Sequence, residues 1–137
     1  MLYVDPTREG FGAFAKAPLN GPLHMLNLLR LKEKATYEDG REATGREAYA
    51  AYGRESAPFF QKQGGTIMWR GKPFFPLIGP STETWDLGFI AAYPSKEAFL
   101  GMVKDPGYQA IVYHRQAAVE TSRLYAFAAV EGSGVFG

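Results

Sequence analysis

Three stretches of this chain are apolar on both of the sides that a β-strand presents. In WDLGFIAAY, residues 85–93, the set Trp85, Leu87, Phe89, Ala91 and Tyr93 alternates with Gly88, Ile90 and Ala92. In RLYAFAAV, residues 123–130, Leu124, Ala126, Ala128 and Val130 oppose Tyr125, Phe127 and Ala129. In PLHMLNLLRL, residues 22–31, Leu26 and Leu28 oppose Met25, Leu29 and Leu31, and only His24, Asn27 and Arg30 interrupt the apolar run. Successive side chains of a strand point to opposite faces, so a sheet with one face in water is polar at every second position. Neither face is polar here, and an uncovered apolar sheet face is an aggregation hazard. Both faces therefore need a cover. A second copy of the same sheet, related by two-fold symmetry, is the simplest cover for one of them. A short N-terminal helix is the alternative, with length to shield only part of a sheet.

The segments between these strands read as helices. Residues 5–17, DPTREGFGAFAKA, suit a short helix capped by Asp5, with Pro6 first and Phe11, Phe14 and Ala15 on its apolar side. Thr44 followed by Glu47 matches a capping box for a helix over 44–63, which Gly64-Gly65 ends. Ala48, Ala51, Tyr52, Phe59 and Phe60 form its stripe, and Pro58 predicts a kink or break. TIMWRGKPF, 66–74, is a second strand. Ser95 caps a helix reaching Lys104, and Asp105-Pro106 recaps a further helical stretch over 106–119. The order over 22–130 is β-α-β-β-α-β, a ferredoxin-like α+β arrangement whose antiparallel sheet carries its helices on one face. Residues 1–21 form an N-terminal helical extension, and the Gly-rich 131–137 a flexible tail.

Composition narrows the function classes. The chain has 137 residues, 46% hydrophobic and 21% charged, with a formal net charge of +1, as expected of one globular domain. Mixed charges give no reason to expect nucleic acid or an anionic membrane as partner. With no cysteine there are no disulfides and no thiolate chemistry, which fits a reducing cytoplasm. The N-terminus lacks the apolar core of a signal peptide, and no run approaches the ~20 residues of a membrane span. No phosphate loop, dinucleotide fingerprint or nucleophile elbow is present, and no cofactor is expected.

The candidate site residues are polar groups in apolar surroundings. Arg115 lies in the stripe Tyr108, Ile111, Val112, Arg115, Ala118, Val119, so its guanidinium emerges toward the core. It is either an anchor for a carboxylate or enolate, or a buried charge paired with an acid such as Asp86. His114 is the candidate general base, the side chain that titrates near neutrality, or else a flank or capping group. Asn27 shares a strand face with Met25, Leu29 and Leu31, and a buried amide there needs partners. A ligand carbonyl or a dimer-mate backbone would both serve. His24 and Arg30 lie on the opposite face from Asn27. A two-histidine metal site would need His24 and His114 to converge with a carboxylate, which nothing in the spacing enforces. Trp85, with Trp69, Phe89 and Tyr125, is core or a substrate cage.

From Leu23 to about Phe127 the chain resembles the domain-of-unknown-function 1330 family. The resemblance rests on HMLNLLRLK, on YAAYGRESAPFFQKQGGTIMWRG, and on WDLGFIAAYPSKEAFLGMVKDPGYQAIVYHRQAAVETSRLYAF. It implies a dimeric α+β barrel of ferredoxin-like protomers, and places Asn27, Tyr108 and Arg115 on the family's motifs. It supplies no reaction, because barrels of this kind include cofactor-free monooxygenases, decarboxylases, isomerases and plain binding proteins. Two readings follow. One is a cofactor-free enzyme acting on a small hydrophobic or aromatic oxygen-bearing metabolite, with Asn27, Tyr108, Arg115 and Trp85 binding it and His114 moving a proton. The other is a non-catalytic homodimer, joined through the sheet face, that binds a small molecule or a partner.

Overall fold

The computed structural model describes residues 1–132 and 134–137. Its elements are α1 (Arg8–Lys16), β1 (Leu23–Leu31), α2 (Gly45–Lys62), β2 (Thr66–Gly71), β3 (Leu87–Tyr93), α3 (Lys96–Lys104), α4 (Pro106–Gln109), α5 (Tyr113–Ala118) and β4 (Val119–Ala128). The strands pair antiparallel in the order β2-β3-β1-β4, which puts β1 and β3 at the centre. This is the ferredoxin-like α+β topology expected from the order of elements, with a short helix added at the N-terminus. Among the described residues no helix is long and apolar enough to cross a membrane. Ser133, within the stretch expected to be a tail, lies outside the described residues.

Local chemistry sets most boundaries. Thr44 caps α2 through a hydrogen bond from the Glu47 amide, and the Glu47 carboxylate accepts from the Thr44 amide in return. At the other end Gly64 takes a φ of +77° while its amide reaches the Gln61 carbonyl. The helix continues through Pro58 as one element, so of the kink or break expected there, no break occurs. At Gly45 the first turn comes so close to β1 that a Cβ would sit 2.0 Å from the Lys32 carbonyl oxygen. Only glycine fits that contact.

Four boundaries differ from those expected. Thr7, not Asp5, caps α1, accepting from the Gly10 amide at 2.9 Å. β2 stops at Gly71, ahead of Pro73, which has no amide to give a ladder. β3 begins at Leu87. Before it, the Asp86 amide donates to the Leu29 carbonyl and its carboxylate accepts from the Leu31 amide, at 2.7 and 2.8 Å. Asp86 is therefore committed to the end of β1 rather than to Arg115. The stretch expected as one helix over 106–119 is two short helices, and β4 starts at Val119 instead of 123. Ala118 and Val119 continue the helical apolar stripe in sequence, which hides the change. In space both are fully buried, against Leu29 and Ala48.

The two faces of the sheet are unlike. Leu23, Met25, Ala91 and Tyr93 pack beneath Tyr52, Phe59 and Phe60 of α2, Phe99 and Met102 of α3, Tyr108 of α4 and Phe14 of α1. Cross-strand partners share a face, so Asn27, Phe89, Arg70 and Leu124 form one row on this helix-covered side. The opposite face carries His24, Leu26, Leu28, Ile90, Trp69, Tyr125 and Phe127 by the same register. Trp69, Tyr125 and Phe127 are about half exposed there, at 55, 60 and 49%.

Candidate functional site

A cavity of about 1030 Å³ lies between the helix-covered sheet face and the helices above it. Met25, Asn27, Phe89 and Ala91 line its floor. α2 contributes Tyr49, Tyr52, Gly53, Ser56, Ala57 and Phe60, at the i, i+3, i+4, i+7 spacing of one helix side. Segment 3–6 and Phe11 and Phe14 of α1 line it as well, so the N-terminal extension is part of the wall.

That wall is fastened at two places. The buried Lys96 ammonium donates to the Ala15 and Ala17 carbonyls at 2.8 and 2.5 Å, where the negative end of α1 favours a cation. At the other end Ser122 donates its amide to the Tyr3 carbonyl, and Thr121 Oγ1 accepts from the Tyr3 amide. Arg115 completes this second fastening. Its Nη1 donates to the Val4 carbonyl at 2.6 Å, Nη2 reaches Ser122 Oγ at 3.4 Å, and the Asp5 carboxylate lies 3.8 Å away. The acid beside Arg115 is thus Asp5.

The polar groups of the cavity are unevenly distributed. Asn27, part of the cavity floor, donates its amide to the Met25 carbonyl at 3.1 Å. The Tyr52 and Tyr108 hydroxyls are hydrogen-bonded at 2.7 Å. The Tyr49 hydroxyl makes no hydrogen bond among the described residues, although the ring packs on Tyr52. Burial raises the pKa of Tyr49, Tyr52, Tyr93 and Tyr108, in each case as the main cause, so these phenols remain neutral hydrogen-bonding groups at physiological pH.

Of the sequence candidates, Asn27, Tyr108 and Arg115 line this cavity together. His114 does not. Its Nδ1 is 2.6 Å from the Tyr37 hydroxyl, and its Nε2 is 2.8 Å from a Glu55 carboxylate oxygen, without hydrogen-bond alignment. The Tyr113 ring stacks on it at 4.1 Å. Trp85 lies on the other side of the sheet, with the Arg30 and Arg123 guanidinium groups 5.8 and 5.2 Å from its ring centre. There Arg30 also donates to the Thr82 and Thr84 carbonyls, which ties down the β2–β3 connection. His24 is on that outer face too, away from His114. Among the described residues no cluster of three or more His, Asp or Glu side chains is placed to hold a metal ion.

Sequence reasoning did not single out Tyr49, Tyr52 as a polar group, or Arg70. Tyr49, Tyr52 and Ser56 recur at helical spacing with polar tips on apolar bodies, which is the signal that was available. Arg70 has no comparable signal, because a charge on an edge strand is ordinarily just solvated.

Comparisons with known proteins agree with this architecture. Among curated proteins none matches. Two solved structures of RPA0582, a protein of unknown function from Rhodopseudomonas palustris, one of them methylated, are 50 and 51% identical. They cover 96% of this chain and 100 and 98% of their own, with TM-scores of 0.92 and 0.93. SnoaB, a cofactor-independent oxygenase from Streptomyces nogalater, shares the fold at 17% identity and a TM-score of 0.54, over 85% of this chain and all of its own. A dimeric ferredoxin-like protein of unknown function from Bacteroides fragilis does so at 12% and 0.51, over 82% of this chain and all of its own. The family model for the domain of unknown function DUF1330 matches residues 41–131, and the chain belongs to that family.

Proposed function

We propose that the protein is a homodimer whose protomers each bind one small, largely apolar, oxygen-bearing molecule in the cavity between sheet and helices. The observation that carries this reading is the cavity itself. At about 1030 Å³ it stands at the upper end of ligand-pocket sizes, with walls that are mainly aromatic and aliphatic surface. Asn27, Tyr49 and the Tyr52–Tyr108 pair supply hydrogen bonds to a ligand oxygen. The dimer reading rests on the half-exposed aromatic outer face, which a second copy would bury. Freedom from cysteine suits a cytoplasmic setting.

A second reading, chemistry on the bound molecule without a cofactor, is favoured by one observation: a short hydroxyl–hydroxyl contact inside an apolar cavity. The Tyr52–Tyr108 pair could relay a proton there, whereas His114 is outside the cavity with both ring nitrogens already in contact with protein groups.

The binding reading is tested by thermal shift with 2-naphthol and 2-naphthoate as probes. At least one should raise the melting temperature, and Ala126→Trp, which fills the cavity, should abolish the shift while the protein stays folded. No shift with either probe would refute it. Mass spectrometry of the recovered probe then separates binding from turnover.

A further inference from the structure

The cavity has a charged end and an uncharged end along β1, and the register fixes which is which. Toward the start of β1 lie Met25, Ala91 and Tyr93, with Phe14, Phe60, Phe99 and Met102 around them. The Tyr52–Tyr108 hydroxyl pair lies at that end too, but the charged side chains lie from Asn27 onward, beside Tyr49 and Ser122. The charged side chains lining the cavity are one acid, Asp5, and two arginines, Arg70 and Arg115. Arg115 is already occupied by the Val4 carbonyl, Ser122 and Asp5. Arg70 has no hydrogen bond or ion pair among the described residues, and the Tyr49 hydroxyl has no hydrogen bond either. Arg70, exposed on the edge strand, shares the row of Phe89 and Asn27 by register and lines the same cavity as Tyr49.

We infer that Arg70 and Tyr49 together form the anchor for the head of the ligand, and that the ligand is a flat or elongated apolar monoanion such as an aromatic carboxylate. The inference rests on the binding reading above and deepens it. Arg70 pairs with Phe89, which pairs with Asn27, so guanidinium and amide are based two strand spacings apart on one face, roughly 10 Å. A carboxylate at this end takes the fork of Arg70 and the neutral hydroxyl of Tyr49. Its apolar body then runs toward Phe60 and Phe99. Arg115 is the residue the sequence offers for this role. Its donors face the N-terminal segment, which makes it a positioning residue for the wall.

Isothermal titration with the full-length protein near neutral pH decides the matter, using 2-naphthoate and its uncharged counterpart 2-naphthol. Naphthoate should bind at least about tenfold more tightly, the usual weight of one charge-assisted hydrogen bond. Arg70→Gln should erase this preference, so that the ratio of the two affinities falls to about one while the protein stays folded. Tyr49→Phe should weaken naphthoate several-fold, and Lys72→Gln, an exposed neighbour outside the cavity lining, should change nothing. Equal binding of the two probes by the wild type overturns the inference and leaves the cavity reading intact. A preference that survives Arg70→Gln but vanishes in folded Arg115→Met also overturns it, in favour of Arg115. Binding of neither probe overturns the cavity reading and this inference with it.

Discussion

The two faces of one sheet, built from alternate residues of the same strands, are finished in different ways. On the helix-covered side, Leu23, Met25 and Leu29 are almost fully buried, and several of the intruding polar groups find partners within the chain, while the Tyr49 hydroxyl and Arg70 have no hydrogen bond among the described residues. Lys96 has two helix-end carbonyls, Arg115 a carbonyl and a carboxylate, and Tyr52 and Tyr108 have each other. On the outer side, aromatic surface stays half exposed, and the polar partners gather at one corner around Trp85. A face closed within the chain can satisfy its buried polar groups internally, and here the two it leaves over line the cavity. A face that another copy closes can leave its centre apolar and keep its charges at the rim.

The contrast can be broken from the outer side most dramatically. Phe127→Glu places a carboxylate on the surface that the second copy would bury, at a cost on the order of 3–5 kcal/mol if it goes unpaired. Light scattering should show the wild type as a dimer at micromolar concentration and the variant as a monomer with unchanged circular dichroism. A monomeric wild type removes the contrast altogether.

On the covered side, Lys96→Met removes both hydrogen bonds to α1, a loss of roughly 1.5–3 kcal/mol per charged contact before relaxation. Hydrogen exchange over residues 8–17 should accelerate while the amides of β1 and β3 remain protected. Uniform acceleration throughout the chain would mean that α1 does not open separately.

Alkaline pH probes the buried phenols. An unfolded tyrosine titrates near pH 10, and burial raises Tyr49, Tyr52, Tyr93 and Tyr108 above that. Their contribution is fully present below about pH 10. It falls as pH rises from there through the folded values, because the unfolded chain then binds fewer protons. Each such phenol removes about 1.4 kcal/mol per pH unit. Denaturant midpoints should therefore drop steeply above about pH 10, and less steeply in Tyr49→Phe.

Smallest is Tyr108→Phe. It deletes one hydroxyl from the Tyr52 pair and should lower stability by about 1 kcal/mol, measured by urea unfolding.

Much of this was legible in the sequence wherever the cause is local. The span of β1, the Thr44–Glu47 box and the Ser95 cap each depend on a few neighbouring residues, and they stand where they were expected. Asn27 and Arg115 both line the cavity, although Arg115 spends its donors on the N-terminal segment and Ser122. What could not be read depends on distant partners. Asp5 looks like a helix cap until Arg115 and Gln116 claim it from across the fold. Val119 looks helical until its burial against Leu29 and Ala48 is visible. His114 looks available until Tyr37, from the β1–α2 connection, meets it. Tyr49 looks like ordinary core, since nothing nearby in sequence shows that its hydroxyl has no partner.

β1 also has a bearing on where this family's unit should be drawn. The region shared with the family model begins at residue 41, after β1 has ended. Yet β1 is the strand that joins β3 to β4, and it supplies Asn27 and Met25 to the cavity floor. A protein trimmed to the shared region would keep β2 paired with β3 and leave β4 with no strand beside it. A unit that keeps the four-stranded sheet whole therefore has to include β1, upstream of residue 41.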